Sequence, residues 1–182
     1  ITSTKPSDAW YDACGAAPTF KLGGPHGVAV MGTRVMVTSP ANACVHLLDL
    51  DRRSYLPIRE FGGTPFRSPV GVTGAGSSWF VSDGVLHCIV KLSLDGQYES
   101  RFGDADLKRP SGIVFVPASG QLYVLDAESD EFVVFSDGGQ MLSRFGSSGT
   151  EAGQFNRPTH LAFSPPDRLW IADTLNSRLQ QF

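Results

Sequence analysis

A repeat of 41 to 48 residues constrains the fold of this chain more than any other feature of its sequence. The steps between the four repeats are 44, 41 and 48 residues, measured between the prolines that open similar apolar segments, Pro25, Pro69, Pro110 and Pro158. A period of about 20 to 50 residues indicates an array of similar units that bury their apolar faces against one another. The sequence therefore predicts a repeat protein.

Three further markers follow each proline in register. An apolar run ends at Ser39 in the first unit and at an aspartate in the others, Asp83, Asp126 and Asp173. A second apolar run begins at Cys44, Cys88, Phe132 and Leu179, and the dipeptide Phe-Gly closes three units at Phe61, Phe102 and Phe145. Each unit thus contains three or four short β-rich runs between turn residues, with no helical period of about 3.6 residues. Four strands per unit are typical of a β-propeller blade.

These repeats resemble the NHL family of β-propellers. The pattern is clearest in residues 155–182, where FNRPTHLAF is followed by LWIADTLNSRLQQF, and the resemblance covers roughly residues 20–182. The Gly-His and Trp-Asp signatures of WD-type propellers are missing. The resemblance implies an all-β propeller with four-stranded blades, in a ring that usually has six.

The markers divide the chain into a leader and four blades. We expect an irregular N-terminal leader over residues 1–17 and propeller blades over residues 18–182, in the approximate units 18–63, 64–103, 104–146 and 147–182. The last unit is incomplete, and residues 18–23, PTFKLG, resemble the fourth strand of an earlier blade. Three arrangements stay open: part of a six-bladed ring, a four-bladed ring, or an open arc completed by another chain. We favour the first, because an open arc exposes sheet faces and edges to aggregation.

Two repeated positions have predicted structural roles. Asp83, Asp126 and Asp173 end the second strand, where a carboxylate accepts hydrogen bonds from the backbone N–H groups of the following turn. The family resemblance implies that Arg178 pairs with Asp173 to stitch such a turn. The glycine two residues after the proline, which is replaced by His160 in the fourth unit, is expected where the inner strands crowd around the axis.

Composition excludes some functions and leaves others open. The net charge of −3 argues against nucleic-acid binding, which draws on clustered Lys and Arg. No stretch approaches 18 consecutive apolar residues, so no membrane span is predicted. The start at Ile1, without Met, slightly favours a secreted or periplasmic protein. Cys14, Cys44 and Cys88 have no metal-ligand spacing, and a disulfide between the last two is not expected because neighbouring blades are about 10 Å apart.

The candidate binding residues lie beside the prolines that open the inner strands. Propellers bind ligands at the mouth of the central channel, and the side chains predicted at this rim are His26, Arg67, Arg109, Arg157 and His160. Such a group can bind an anion, a carboxylate or an acidic loop of a protein or peptide partner. The plainer interpretation is that these side chains are merely solvated.

A catalytic interpretation rests on a second resemblance. Residues 25–28, PHGV, are similar to one histidine context of the peptidylglycine amidating lyases, NHL-like propellers that hold a catalytic zinc with histidines from several blades. Catalytic zinc needs three protein ligands, and only His26 and His160 are speculative candidates here. We therefore predict a non-catalytic binding scaffold without a cofactor, with a zinc- or calcium-dependent lyase or hydrolase as the alternative.

Overall fold

The computed structural model describes residues 22–182, which form four antiparallel blade sheets and one two-stranded sheet. Blade 1 contains β1 (Val28–Met31), β2 (Arg34–Ser39), β3 (Cys44–Asp49) and β4 (Ser54–Ile58). A short hairpin of β5 (Glu60–Phe61) and β6 (Thr64–Pro65) leads to blade 2, which contains β7 (Pro69–Ala75), β8 (Ser78–Asp83), β9 (Cys88–Ser93) and β10 (Tyr98–Phe102). Blade 3 contains β11 (Pro110–Val116), β12 (Gln121–Asp126), β13 (Glu131–Ser136) and β14 (Met141–Phe145). Blade 4 has three strands, β15 (Pro158–Ser164), β16 (Arg168–Asp173) and β17 (Arg178–Gln181).

This architecture confirms the predicted all-β propeller of about four blades. Consecutive strands pair within each blade, and the first strands of the four blades lie innermost. The predicted leader, residues 1–17, lies outside the described residues, as does most of the strand predicted at residues 18–23. Two 3-10 turns, Pro40–Asn42 and Thr174–Asn176, are the helical segments of residues 22–182, and neither is long enough to cross a membrane.

The turn from the second to the third strand has the same shape in every blade. The residue just before the third strand has a positive φ between 47° and 57° in all four blades, at Ala43, His87, Asp130 and Ser177. This left-handed conformation is uncommon for residues other than glycine. Its recurrence with four different side chains shows that the blade, rather than the local residue type, sets the shape of the turn.

Three apolar cores lie between neighbouring blades. Trp79 and Val90 belong to the core between blades 1 and 2, Phe80 and Phe135 to the next, and Phe132 to the core between blades 3 and 4. The outer faces of the first and last blades are open in residues 22–182, where Val28 is 66% exposed and Leu179 is 69% exposed. These open faces agree with the expectation that the four blades are part of a larger ring.

The inner-strand glycines are needed because neighbouring blades approach closely. A Cβ atom at Gly71 would lie 2.4 Å from the carbonyl oxygen of Ser111 on the next inner strand. The corresponding distances are 2.7 Å from Gly27 to the Val70 oxygen and 2.9 Å from Gly112 to the Thr159 oxygen. His160 occupies this position in blade 4, where it is exposed on the open face.

One repeat marker differs from its expected place. Phe102 and Phe145 end the fourth strands of their blades, opposite the second residue of the third strand. In blade 1 that position belongs to Ile58, which pairs with Val45, whereas Phe61 lies in the short β5–β6 hairpin. Phe61 is buried against Phe66, with the two ring centroids 4.9 Å apart. The Phe-Gly dipeptide of the first unit therefore fills an insertion rather than closing the blade.

Both cysteines of the described region are free and buried, at the start of the third strand in blades 1 and 2. This agrees with the expectation that they do not form a disulfide. Burial raises the pKa of the Cys88 thiol to about 11. The thiol is therefore neutral and unreactive at physiological pH.

Candidate functional site

The loops that lead into the inner strands surround one cavity of about 380 Å³ at the mouth of the channel. Three of the predicted residues, His26, Arg109 and Arg157, line this cavity. Hydroxyl groups and apolar side chains complete its wall, including Ser68, Val70, Val85, Ser111, Thr159, Thr174 and Leu175. We call this cavity the channel mouth.

The other two predicted residues are placed differently. His160 lines a second cavity of about 230 Å³ between the inner strands, which His26 also borders. Arg67 is exposed to solvent and lines neither cavity. The structure thus brings together four of the five predicted side chains along the channel and leaves Arg67 outside.

The two histidines meet although they come from the first and last blades. The imidazole rings of His26 and His160 stack with centroids 5.1 Å apart and an interplanar angle of 16°. Burial lowers the pKa of His160, and the nearby His26 lowers it further. The neutral form of the His160 ring is therefore favoured in this position.

The buried aspartates position the backbone of the rim arginines. Asp126 accepts hydrogen bonds from the backbone N–H groups of Lys108 and Arg109, at 2.6 and 2.9 Å. Asp83 does the same for Arg67 and Ser68, at 2.8 and 3.0 Å. Each aspartate also accepts from two N–H groups of the turn that follows its own strand, at 3.1 to 3.2 Å. One carboxylate therefore ties a turn and a rim loop together.

Arg157 is held in an unusual conformation. Its backbone N–H donates to Asp130 Oδ1 at 2.7 Å, and its φ is 50°. A left-handed residue directly before a proline is disfavoured, because the proline ring restricts the preceding residue to extended conformations. Strained residues of this kind persist where surrounding contacts enforce them, and they cluster at functional sites.

The charge of the channel mouth is positive. Its lining contains two arginines and one histidine and no Asp or Glu. No ion pair forms at the guanidinium of Arg109 or Arg157 within residues 22–182, in contrast to Arg144, which pairs with Glu131. Glu128 and Asp130 lie beside the two arginines in an adjacent cavity of about 290 Å³. The mouth itself therefore offers cationic groups to an incoming anion.

Sequence reasoning missed the hydroxyl groups that join the inner strands. Thr38 Oγ1 accepts from the backbone N–H of Gly27 at 2.8 Å and donates to the carbonyl of Val70 in the next blade at 2.6 Å. Ser82 links Gly71 to the carbonyl of Ser111 in the same way. The signal was a Ser or Thr just before the residue that ends the second strand, in VTS and VSD. These bridges fix the backbone beneath the channel mouth.

Arg178 and Asp173 form an ion pair in blade 4, with Nε and Oδ2 2.8 Å apart. The same guanidinium donates to the carbonyl oxygens of Thr150, Glu151 and Gln154 in the loop that leads into the blade. The pair therefore stitches this loop to the end of β16. The corresponding positions Cys44, Cys88 and Glu131 carry no such contacts.

Comparisons with known proteins agree with this repeat. No family model matches the chain. NHL repeat-containing protein 3 of Mus musculus is 27% identical over 133 residues, which are 66% of this chain and 37% of that protein. The chain is a β-propeller whose repeats are similar to those of this NHL protein. It spans 37% of the length of the mouse relative, so it corresponds to only part of such a protein.

Solved structures share the fold of this propeller. A streptogramin B lyase superimposes with a TM-score of 0.72 at 14% identity, over 90% of this chain and 56% of the lyase. An auxiliary nutrient binding protein from Bacteroides ovatus superimposes with a TM-score of 0.67 at 15% identity, over 86% of this chain and 47% of that protein. One of these proteins is named a lyase and the other a binding protein, so the shared fold does not decide the function.

Proposed function

We propose that this propeller is a non-catalytic binding scaffold whose channel mouth accepts a carboxylate of a protein or peptide partner. One observation carries the proposal: two arginines without an ion pair line a cavity of about 380 Å³ that has no acidic side chain in its wall. Arginine is suited to this role because its planar guanidinium binds a carboxylate through two parallel hydrogen bonds.

The surroundings of the arginines support a binding role. Asp126 fixes the backbone of Arg109, and Asp130 fixes that of Arg157, so the ordering cost of the loops is met before a ligand arrives. Hydroxyl groups of Ser68, Thr159 and Thr174 add neutral donors beside the guanidinium groups. The apolar part of the wall suits the carbon atoms of an acidic side chain or a chain terminus.

The test compares peptides that differ only in their carboxylates. Binding of fluorescent peptides with a free C-terminus and an acidic last residue is measured beside amidated, uncharged versions. We expect the acidic peptides to bind better, and Arg109→Gln or Arg157→Gln to weaken binding about tenfold or more, because each substitution removes a charge-assisted hydrogen bond. Binding that falls with salt concentration would agree with this mechanism.

Two exposed arginines at the other end of the sheets provide matched controls. Arg53 precedes β4 and Arg168 begins β16, both at the end opposite the channel mouth. Arg53→Gln and Arg168→Gln remove the same charge without touching the mouth, so they should leave peptide binding unchanged. Equal losses of peptide affinity in the rim and control variants would show that only the net charge of the protein matters, and would overturn the proposal.

A second candidate function follows from the stacked histidines. His26 and His160 bring two imidazoles together, which favours the zinc-dependent form of the alternative, a lyase or hydrolase at the channel. Catalytic zinc needs three protein ligands, and residues 22–182 contain no group of three metal-ligating side chains. These residues therefore do not complete a metal site. Metal analysis of the purified protein and of His26→Ala and His160→Ala separates the two functions, since stoichiometric zinc lost in either variant would overturn the scaffold.

A further inference from the structure

The chain contains three Asp-Gly pairs, and each lies in a different structural setting. They are Asp83-Gly84 at the end of β8, Asp95-Gly96 in the turn from β9 to β10, and Asp137-Gly138 in the turn from β13 to β14. An Asp-Gly pair closes a succinimide ring more easily than other Asp pairs, because glycine places no side chain beside its own backbone nitrogen. The folded structure decides which of the three pairs can react.

The reaction needs the backbone nitrogen of the glycine and the side-chain carboxyl group of the aspartate. The nitrogen attacks the carboxyl carbon in its acid form, a C–N bond forms, and the N–H proton and the carboxyl hydroxyl leave together as water. Water then opens the ring at either carbonyl, which restores aspartate or leaves isoaspartate, whose main chain runs through the side chain. Hydrogen bonds that hold the glycine N–H or the carboxylate oppose the first step.

Both reacting groups of Asp83-Gly84 are held. The N–H of Gly84 donates to the carbonyl oxygen of Ser68 at 3.0 Å. The Asp83 carboxylate is fully buried and accepts hydrogen bonds from backbone N–H groups of the loop before β7 and of the turn after β8. Attack would require the loss of all these bonds, so we expect this pair to be protected in the folded chain.

The turns that follow β9 and β13 have the same backbone hydrogen bonds. They read SLDGQ over residues 93–97 and SDGGQ over residues 136–140. In each turn the serine N–H donates to the glutamine carbonyl, and the N–H of the glycine before the glutamine donates to the serine carbonyl, at 2.7 to 3.0 Å. That glycine has a positive φ in both turns, +82° at Gly96 and +88° at Gly139. The two turns therefore match, with the Asp-Gly pair displaced by one position.

This displacement decides whether the N–H of the pair is bound. In blade 2 the glycine of the pair is Gly96, whose N–H closes the turn. Its aspartate is held as well, since Asp95 Oδ1 lies 2.9 Å from Arg34 Nη2 and 3.3 Å from Arg52 Nη1. In blade 3 the glycine of the pair is Gly138, one position earlier. The N–H at that position takes no part in the hydrogen bond that closes a turn.

We propose that Asp137-Gly138 is a site of spontaneous isoaspartate formation in the folded protein, whereas Asp83-Gly84 and Asp95-Gly96 are protected. Within residues 22–182 neither the Gly138 N–H nor the Asp137 carboxylate has a hydrogen bond or an ion pair, and both residues are exposed. Both reacting groups are therefore free to meet.

Modification of this turn has a structural consequence. Isoaspartate adds one methylene to the main chain directly before Gly139, where a Cβ atom would lie only 2.6 Å from the ring of Phe102 in blade 2. The longer chain should displace this contact and loosen the packing of blade 3 on blade 2. The turn lies at the end of the sheets opposite the channel mouth, so this proposal does not depend on the carboxylate-binding function.

The test is an ageing experiment on the whole chain at neutral pH in water that carries a heavy oxygen isotope. Each opening of a succinimide by this water adds one heavy oxygen atom to the aspartate. Digestion by trypsin in ordinary water then separates the three pairs into the peptides 68–91, 92–101 and 109–144, in which mass spectrometry locates the label. We expect several-fold more label at Asp137 than at Asp83 or Asp95, together with isoaspartate, which electron-transfer fragmentation identifies.

The same chain aged in urea shows whether the fold makes the difference. All three pairs are free of their hydrogen bonds in the unfolded chain, so we expect them to take up label at similar rates. Equal labelling of Asp95 and Asp137 in the folded chain would overturn the proposal.

Two variants of the blade 3 turn test the role of the free N–H. Gly138→Ala places a methyl group beside the reacting nitrogen, and a Cβ atom there meets only Ser136 Oγ, at 3.7 Å, so the turn is kept and labelling should fall several-fold. Asp137→Leu combined with Gly138→Asp copies the blade 2 sequence and moves the Asp-Gly pair onto the Gly139 N–H that closes the turn. This double variant should also lose label several-fold. Undiminished label in it would overturn the proposal, because the pair would then react whether or not its N–H is bound.

Discussion

The aspartate that ends the second strand is hydrogen-bonded in two different ways in blades 2 and 4. In blade 2, Asp83 is fully buried, and all of its hydrogen bonds come from backbone N–H groups, those of Arg67, Ser68, Val85 and Leu86. In blade 4, Asp173 is equally buried but accepts only one backbone N–H, from Asn156. Its other partners are the side chains of Asn176, Arg178 and Gln180.

The loop that leads into each blade explains the difference. Residues 66–68 lead from the β5–β6 hairpin into blade 2 and residues 103–109 lead into blade 3, whereas the longer segment 146–157 leads into blade 4. A short loop brings its own N–H groups to the aspartate. The longer loop presents carbonyl oxygens instead, and these need a donor, which Arg178 supplies. The aspartate at one repeat position is therefore bound by backbone N–H groups in blade 2 and mainly by side chains in blade 4.

The largest effect is expected for Asp83→Ala. The substitution leaves four partly buried N–H groups without their acceptor, and each unsatisfied donor that stays buried costs about 1–3 kcal/mol. We expect the free energy of unfolding to fall by about 3 kcal/mol or more, which urea denaturation measures. Asp173→Ala should cost less, because most of its partners are side chains that can turn toward water. Equal losses of unfolding free energy in Asp83→Ala and Asp173→Ala would show that the two sets of hydrogen bonds do not differ in strength.

The aspartates show how much of this hydrogen bonding could be predicted from the sequence. Their position at the end of the second strand and their role as acceptors for the following turn were predictable in blades 2 and 3, because an apolar run followed by Asp and turn residues is a local pattern. The N–H groups of Arg67 and Arg109 were not predictable as partners. They come from a loop 16 or 17 residues earlier, and only the paired sheet brings that loop to the carboxylate.

Prediction of the candidate site from the sequence meets the same limit. The rim position of Arg109 and Arg157 followed from the prolines beside them, because propeller loops before the inner strands gather at one end. The contact between His26 and His160 depends on the curvature of four blades, which no local pattern encodes.

Arg178→Ala should have the second largest effect. It removes the ion pair with Asp173 and three hydrogen bonds to carbonyl oxygens of the loop. Since the guanidinium is partly exposed, water replaces some of these bonds, and we expect a loss of about 1–3 kcal/mol. Hydrogen exchange should speed up over residues 147–156 and stay unchanged near Asp83. Arg178→Lys should not restore the loop, because an ammonium group cannot reproduce the fork of donors.

Arg144→Ala is the matched control for this substitution. Arg144 also pairs with a carboxylate, Glu131 at 3.1 Å, and donates to one loop carbonyl, that of Asp106, but the Glu131 carboxylate is partly exposed whereas Asp173 is buried. Such surface pairs contribute about 0–1 kcal/mol. A loss for Arg144→Ala as large as that for Arg178→Ala would contradict the special role of the blade 4 loop.

Acidification should weaken the hydrogen bonds of Asp173 in blade 4, with a smaller loss of stability. Burial alone would raise the pKa of Asp173, but hydrogen bonds from Asn156, Asn176, Arg178 and Gln180 outweigh it and hold the pKa below its ordinary value. The carboxylate therefore stabilises the folded state above the pKa of the unfolded chain, and this contribution disappears as the pH falls through the lower folded value. Urea denaturation between about pH 5 and pH 2 should show a shallower pH dependence for Asp173→Asn than for the original chain. Parallel curves would contradict this assignment.

The smallest effect is expected when the arginine of blade 4 is copied into blade 3. Glu131 occupies the position that corresponds to Arg178, and its carboxylate pairs with Arg144. In Glu131→Arg the new guanidinium faces the shorter segment 103–109, whose N–H groups of Lys108 and Arg109 already bind Asp126. It finds no carbonyl oxygens in need of a donor, and it loses the surface pair, so stability should fall by no more than about 1 kcal/mol. A gain in the free energy of unfolding would mean that the new arginine stabilises blade 3 through Asp126 alone. The length of the loop would then not decide which groups bind the aspartate of a blade.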